Sequence, residues 1–327
     1  MRLSFAMGDP LIKELEEWGP DLIHVHSEGA TYYIARRIGK HCDVPIVMTC
    51  HTDYEYFVFG KLRFLPPLKA LSSTVGGILY RPAAMVMVPS KKATGFPYLH
   101  NLKDRLIVIP NGMELEKYQK HLSDEDRRAF RASLGIDDRS KVLVTVTRLS
   151  KEKNNKELIS YLPELLEKNP DVVLLIVGDG PDRAHLEKLT KILGLSNHVI
   201  FVGRVPMDDV WHYYAAGDVF VSASTFEVHS MSYLEALASG LPLLCRADDA
   251  LIGVLEDGKN GHAYHSQSEF VDYACRILDD DQLREEMGQN SLLRATSYSS
   301  DAYAHNMLKV YESALNGRNV EKRCNSR

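Results

Sequence analysis

Nine short runs of apolar, largely β-branched residues punctuate this chain, at positions 22–25, 46–49, 85–88, 106–109, 142–146, 172–177, 199–202, 219–222 and 243–245. Within each run the apolar character is mostly continuous and does not alternate with polar residues, so both faces of the strand must be covered. Strands of that kind belong to parallel sheets between helical layers, and helical stretches separate the runs here. The fold class is therefore α/β. Four runs precede the polar, charged stretch 114–141 and five follow it, so the crossing between two domains is placed there, with residues 1–115 on one side and 116–299 on the other. A chain of 327 residues is long enough for about two domains. Residues 300–315 read as a last helix.

Composition narrows the function. With 45% apolar and 25% charged residues the chain is ordinary for a globular protein. No apolar run approaches the ~18 residues a membrane helix needs, and the N-terminus lacks the order of a signal peptide, so a cytoplasmic location is expected. Cys42, Cys50, Cys245, Cys275 and Cys324 are odd in number, scattered and without paired ligand spacing, which points to reduced thiols and away from a zinc site. A net charge of −5 argues against a nucleic-acid partner. The charge is uneven, however. From Tyr56 to Lys103 there is no Asp or Glu, while Lys61, Arg63, Lys69, Arg81, Lys91, Lys92 and Lys103 are all cationic. Phe57, Phe59, Phe64, Leu65 and Leu68 are interleaved with them. A segment mixing cations with large apolar groups suits an anionic membrane surface, and equally a solvated basic face over a core helix.

The chemistry concentrates in Ser224-Thr225-Phe226-Glu227-Val228-His229-Ser230-Met231-Ser232-Tyr233-Leu234-Glu235. Glu227 in a loop can accept hydrogen bonds from hydroxyls, and the free N–H groups near Ser230 and Met231, at a helix start, can face an anion. Two glutamates at this spacing say little by themselves, because exposed helices are rich in Glu. The flanking residues decide the matter.

That string resembles the signature of the retaining family 4 glycosyltransferases, nucleotide-sugar enzymes of GT-B fold with two facing Rossmann-like lobes. Four further matches follow in family order. Val108-Ile109-Pro110-Asn111-Gly112-Met113 is similar to the exit from the first lobe, and Val146-Thr147-Arg148-Leu149-Ser150-Lys151-Glu152-Lys153-Asn154 to the phosphate-binding loop. Val177-Gly178-Asp179-Gly180-Pro181 and Phe201-Val202-Gly203-Arg204-Val205-Pro206 are similar to two later loops. The resemblance implies two parallel-sheet lobes with the last helix, within 300–327, returning to the first. It also implies an incomplete first lobe, since Met1-Arg2-Leu3-Ser4-Phe5 resembles sequence well inside it; an exposed sheet edge would follow.

Residue by residue, the resemblance implies that Arg148 and Lys153 clamp the donor diphosphate and stabilise the departing nucleotide, so that neither metal nor cofactor is expected. It implies Glu227 on the donor sugar's hydroxyls, not as a nucleophile, and Glu235 on the ribose. Gly178 and Gly180 would let backbone approach the nucleotide, Arg204 and Val205 would lie near the base, and Ser230 and Met231 would present their N–H groups to phosphate. His51, in Thr49-Cys50-His51-Thr52-Asp53, would line the interlobe cleft and hydrogen-bond the donor, with His24 and His26 facing the same way. A histidine at a strand end serves a structural role as readily.

Within the family, His51-Thr52-Asp53-Tyr54-Glu55, the basic segment 57–103 and Glu227-Val228-His229-Ser230 are most similar to bacterial 1,2-diacylglycerol 3-glucosyltransferases. The implied reaction moves glucose from UDP-glucose to diacylglycerol at the inner face of the plasma membrane. Another lipid or a cell-wall acceptor fits the same lobes. So do a GT-B epimerase and an inactive or regulatory nucleotide-sugar-binding remnant.

Overall fold

The computed structural model describes residues 8–26, 29–51, 53, 71, 74 and 76–325. Phe57, Phe59, Lys61, Arg63, Phe64, Leu65, Leu68 and Lys69 of the basic segment lie outside the described residues. The chain divides into two compact units, Met1–Asn111 with Asp301–Arg327, and Gly112–Ser300.

The first unit carries α1 (Pro10–Trp18), β1 (Ile23–Val25), α2 (Ala30–His41), β2 (Ile46–Thr49), β3 (Met85–Val88) and β4 (Leu106–Val108). Its strands are parallel in the order β1-β2-β3-β4, with Ile23 opposite Ile46, Val47 opposite Met85 and Val86 opposite Leu106. Asp9 starts α1 by accepting a bond from the Leu11 N–H, and Gly19 ends it in the left-handed conformation. The last helix, Ser300–Asn325, runs well past the expected 315 and packs Met307, Val310 and Ala314 against Val47, Met87 and Ile109.

The second unit holds α3 (Asp124–Ser133), β5 (Lys141–Val146), α4 (Asn155–Lys168), β6 (Val172–Val177), α5 (Arg183–Ile192), β7 (Val199–Gly203), α6 (Val210–Ala216), β8 (Val219–Ser222), α7 (Met231–Ala238), β9 (Leu243–Arg246), β10 (Gly261–Tyr264), α8 (Gln267–Asp279) and α9 (Asp281–Ala295). Six parallel strands lie in the order β10-β9-β8-β5-β6-β7. Both faces are covered, as continuous apolar runs require: Val144, Leu175, Phe220 and Leu243 face one apolar cluster, and Leu143, Leu174, Val221 and Leu244 the other. Each such fully buried side chain contributes about 1.5–3 kcal/mol.

Two features were not legible in the sequence. Strand β10, Gly-His-Ala-Tyr, has no β-branched residue; it pairs with β9 because Gly261, at φ 148°, lets its backbone approach where a Cβ would sit 1.9 Å from the Leu243 carbonyl oxygen. The polar stretch 114–141 lies within the unit Gly112–Ser300 and is anchored to it. Leu115 and Tyr118 are buried in its core, and Arg127 and Arg131 on α3 hold Asp218 at 2.7 and 2.9 Å and cap the carbonyls of Ala215, Ala216 and Gly217. Its charges are used for internal anchoring.

Candidate functional site

In the second unit the chain winds from β5 outward to β6 and β7 on one side, and from β8 to β9 and β10 on the other. The order reverses between β5 and β8, and a crevice outside the carboxyl ends of such neighbours is where open α/β sheets bind ligands. Arg148 and Lys153 follow β5; Glu227 follows β8.

The loop after β5 is shaped by its neighbours. Thr147 N–H donates to the Val177 carbonyl at 2.9 Å, Leu149 N–H to Asp179 at 3.1 Å, and Asp182 N–H to Leu149 at 3.0 Å. A Cβ on Gly178 would stand 1.9 Å from the Thr147 oxygen, and one on Gly180 2.3 Å from the Leu149 oxygen. The space a Cβ would need at these glycines is thus occupied by the backbone of the loop after β5. Both still line a cavity of about 760 Å³ with Thr147, Arg148, Arg204 and Val205. Arg148 and Arg204 are exposed and available to a ligand there.

A short turn, Lys151–Lys153, ends at Asn154 in the left-handed conformation and delivers Lys153 to Glu227, Nζ to Oε1 at 2.6 Å. Glu227 is only 8% exposed, so its charge is balanced by Lys153. Its loop is tied to the loop after β5 through one acceptor, the Glu152 carbonyl, which receives the Thr225 N–H at 2.9 Å and its hydroxyl at 3.1 Å. The sequence reading separated the roles of Lys153 and Glu227; the fold couples them.

Ser230 caps α7 without a side-chain bond to the backbone, its hydroxyl lying 3.0 Å from that of Ser232; Met231 is partly exposed. Glu235 is buried inside α7 and accepts the Tyr214 hydroxyl at 2.7 Å, with Tyr118 as a second donor. Burial raises its pKa, and the two tyrosines oppose that shift. Beside the motif, His229 has a buried Nδ1 with no partner, and burial lowers its pKa to about 4, so the ring is neutral at pH 7.

In the first unit His51 Nε2 lies 3.0 Å from His26 Nδ1, so the two rings share one N–H. His24 bridges Thr49 Oγ1 at 2.7 Å and the Tyr311 hydroxyl of the last helix at 2.8 Å. Desolvation lowers the pKa of all three, that of His24 to about 4 with help from His26 and His51. The single-sequence reading missed Tyr118 and Tyr214 altogether. The aromatic run Trp211-His212-Tyr213-Tyr214 was the available signal. Among the described residues no group of three or more His, Cys, Asp or Glu is placed to hold a metal ion, and no helix is long and apolar enough to cross a membrane. Among the described residues, Cys42, Cys50, Cys245 and Cys275 form no disulfide with one another.

Two parallel-sheet Rossmann-like units, one with cations after β5 and a paired carboxylate after β8, define a GT-B protein. The chain belongs to the group 1 glycosyltransferases: that family model matches residues 126–294, and a glycosyltransferase family 4 model matches residues 1–117. It is similar to the alpha-monoglucosyldiacylglycerol synthase of Acholeplasma laidlawii, 29% identical over 94% of this chain and 79% of the relative. The enzyme of the same name from Streptococcus pneumoniae is 28% identical over 98% and 73%. Among solved structures, Anabaena HepE in complex with UDP superposes with a TM-score of 0.78 at 21% identity, covering 95% of this chain and 84% of that one. Sucrose-phosphate synthase from Thermosynechococcus elongatus gives 0.76 at 21%, covering 96% and 79%.

Proposed function

We propose that this glycosyltransferase moves glucose from UDP-glucose to a lipid acceptor of the diacylglycerol class, with retention of anomeric configuration and without a metal. The observation that carries the reading is the Lys153–Glu227 pair at the reversal of strand order: a carboxylate suited to sugar hydroxyls held beside a cation suited to a diphosphate. Support for the acceptor comes from the two relatives named as alpha-monoglucosyldiacylglycerol synthases, and support for the donor from HepE, solved with UDP and with UDP-glucose.

In this reading the acceptor hydroxyl oxygen forms a bond to the anomeric carbon while the bond from that carbon to the β-phosphate oxygen breaks. UDP leaves with the electron pair and takes up the hydroxyl proton. Arg148, Lys153 and the N–H groups at Ser230 and Met231 stabilise the charge that grows on the phosphates. Glu227 orients the sugar, Glu235 holds the ribose, and Gly178, Gly180, Arg204 and Val205 form the wall for nucleotide and base. His51 hydrogen-bonds the donor. The basic segment 57–103 brings the enzyme to an anionic bilayer from the cytoplasmic side.

The test is UDP release from UDP-glucose with and without anionic vesicles containing diacylglycerol. Release that depends on the lipid and survives EDTA is expected. Tight UDP binding with no release under either condition would overturn the catalytic reading and leave a nucleotide-sugar-binding protein.

A further inference from the structure

The first unit contains a cavity that the proposed reaction does not use. It measures about 650 Å³ and lies among α2, the starts of β2 and β3, Arg105 just before β4, and the last helix. Ile46, at the start of β2, lines it; Thr49, at the other end of that strand, carries the histidine contacts. Ile46 and Thr49 are three steps apart, about 10 Å along the strand. Small residues keep the cavity open. A Cβ at Gly39 would meet Ile46 Cδ1 at 2.9 Å, and one at Gly317 would project into open space.

Its lining is electrostatically one-sided. Arg36 and Lys40, one turn apart on α2, and Arg105 all face it, and among the described residues no Asp or Glu lines it. Arg105 is fixed to the wall by its NH1, which donates to the Ala83 carbonyl at 2.7 Å and the Arg81 carbonyl at 3.3 Å. Its Nε and NH2 have no bond to any described residue and remain available. Arg36 lies over the Tyr32 ring at 5.7 Å, and neither it nor Lys40 has a carboxylate partner among the described residues. Three cations in one concavity, without a carboxylate partner among the described residues, focus positive potential, and a bound anion relieves it. Val44, Pro45, Pro82 and Met85 supply apolar wall beside them, and the Ser313 hydroxyl adds a donor.

We propose that this cavity binds a phosphate group, either free or as the headgroup of a lipid, at a site separate from the donor site of the second unit. Guanidinium forks match tetrahedral oxyanions in bidentate fashion, which favours phosphate over a carboxylate of equal charge.

The experiment is calorimetric titration of the full chain, presaturated with UDP to occupy the donor site. The two probes are inorganic phosphate, and phosphatidic acid in phosphatidylcholine vesicles. The vesicle arm uses the K61E/R63E/K69E background, which reverses three cations of the basic segment. Binding of at least one probe is expected, weakened at least tenfold by R36E/K40E with UDP affinity unchanged. A phosphate signal assigns a soluble ligand, and a vesicle signal alone assigns a headgroup. Gly317→Leu, which fills the cavity from the last helix and leaves every cation in place, is expected to weaken the same probe. No binding of either probe, or binding that R36E/K40E and Gly317→Leu leave unchanged, would overturn the site.

Discussion

The six-stranded unit is covered by apolar clusters on both faces and ties Lys153 to Glu227, Arg127 and Arg131 to Asp218, and Arg246 to Glu157, while buried Glu235 rests on a tyrosine hydroxyl. The four-stranded unit has shorter strands, draws part of its core from a helix at the far end of the chain, and concentrates neutral histidines and unpaired cations. The contrast separates two ways of using polar groups. In one unit charges are desolvated and geometrically fixed, as donor chemistry requires. In the other, Arg36, Lys40 and Arg105 line one open cavity.

The largest expected effect is on the second unit. Glu227→Ala removes a buried carboxylate and leaves the largely buried Lys153 without its partner, and sugar transfer should fall about 10²–10³-fold together with a drop in the thermal midpoint. UDP release beside a melting curve checks it, and unchanged turnover would remove Glu227 from the site. Next, if the first unit alone meets the membrane, K61E/R63E/K69E should reduce sedimentation with anionic vesicles by about two orders of magnitude, at about 1 kcal/mol per basic residue. Its UDP affinity should stay at the wild-type level. A third variant, Tyr214→Phe, leaves buried Glu235 with one donor fewer. A loss of about 1–3 kcal/mol by denaturant titration is expected, together with weaker UDP binding.

The smallest effect concerns pH. His24 is held near a pKa of about 4 against an ordinary 6.5, so between those values the unfolded chain binds a proton that the folded chain refuses. Its contribution to stability is complete above pH 6.5 and is lost as the pH falls toward 4. His26 and His51 shift in the same direction. The first unit should therefore lose its amide protection from hydrogen exchange before the second between pH 7 and 5, and His24→Gln should flatten that dependence. Equal loss from both units would erase the contrast.

The strands were legible where burial on both faces selects apolar runs, as in Val172–Val177. They were illegible at Gly261–Tyr264, where backbone clearance matters more than side-chain character. Glu227, Lys153 and Glu235 could be singled out because their flanking motifs are local. Their partners could not: Lys153 and Glu227 are 74 positions apart, and Tyr118 reaches Glu235 only through the fold. The anchoring of 114–141 was hidden for the same reason, since Asp218 is 87 residues beyond Arg131. Local spacing identifies candidate groups, and tertiary pairing decides which of them share a charge.

The last helix carries a consequence for biogenesis. Residues 112–300 form one uninterrupted stretch, so that unit can complete its core as soon as it clears the ribosome. The first unit, although translated earlier, lacks Met307, Val310 and Ala314 until the helix Ser300–Asn325 has been made. At about 5–20 residues per second, the nascent four-stranded sheet waits on the order of ten to forty seconds with that face bare. Shortening the chain to end before Met307 should leave the N-terminal sheet in that state.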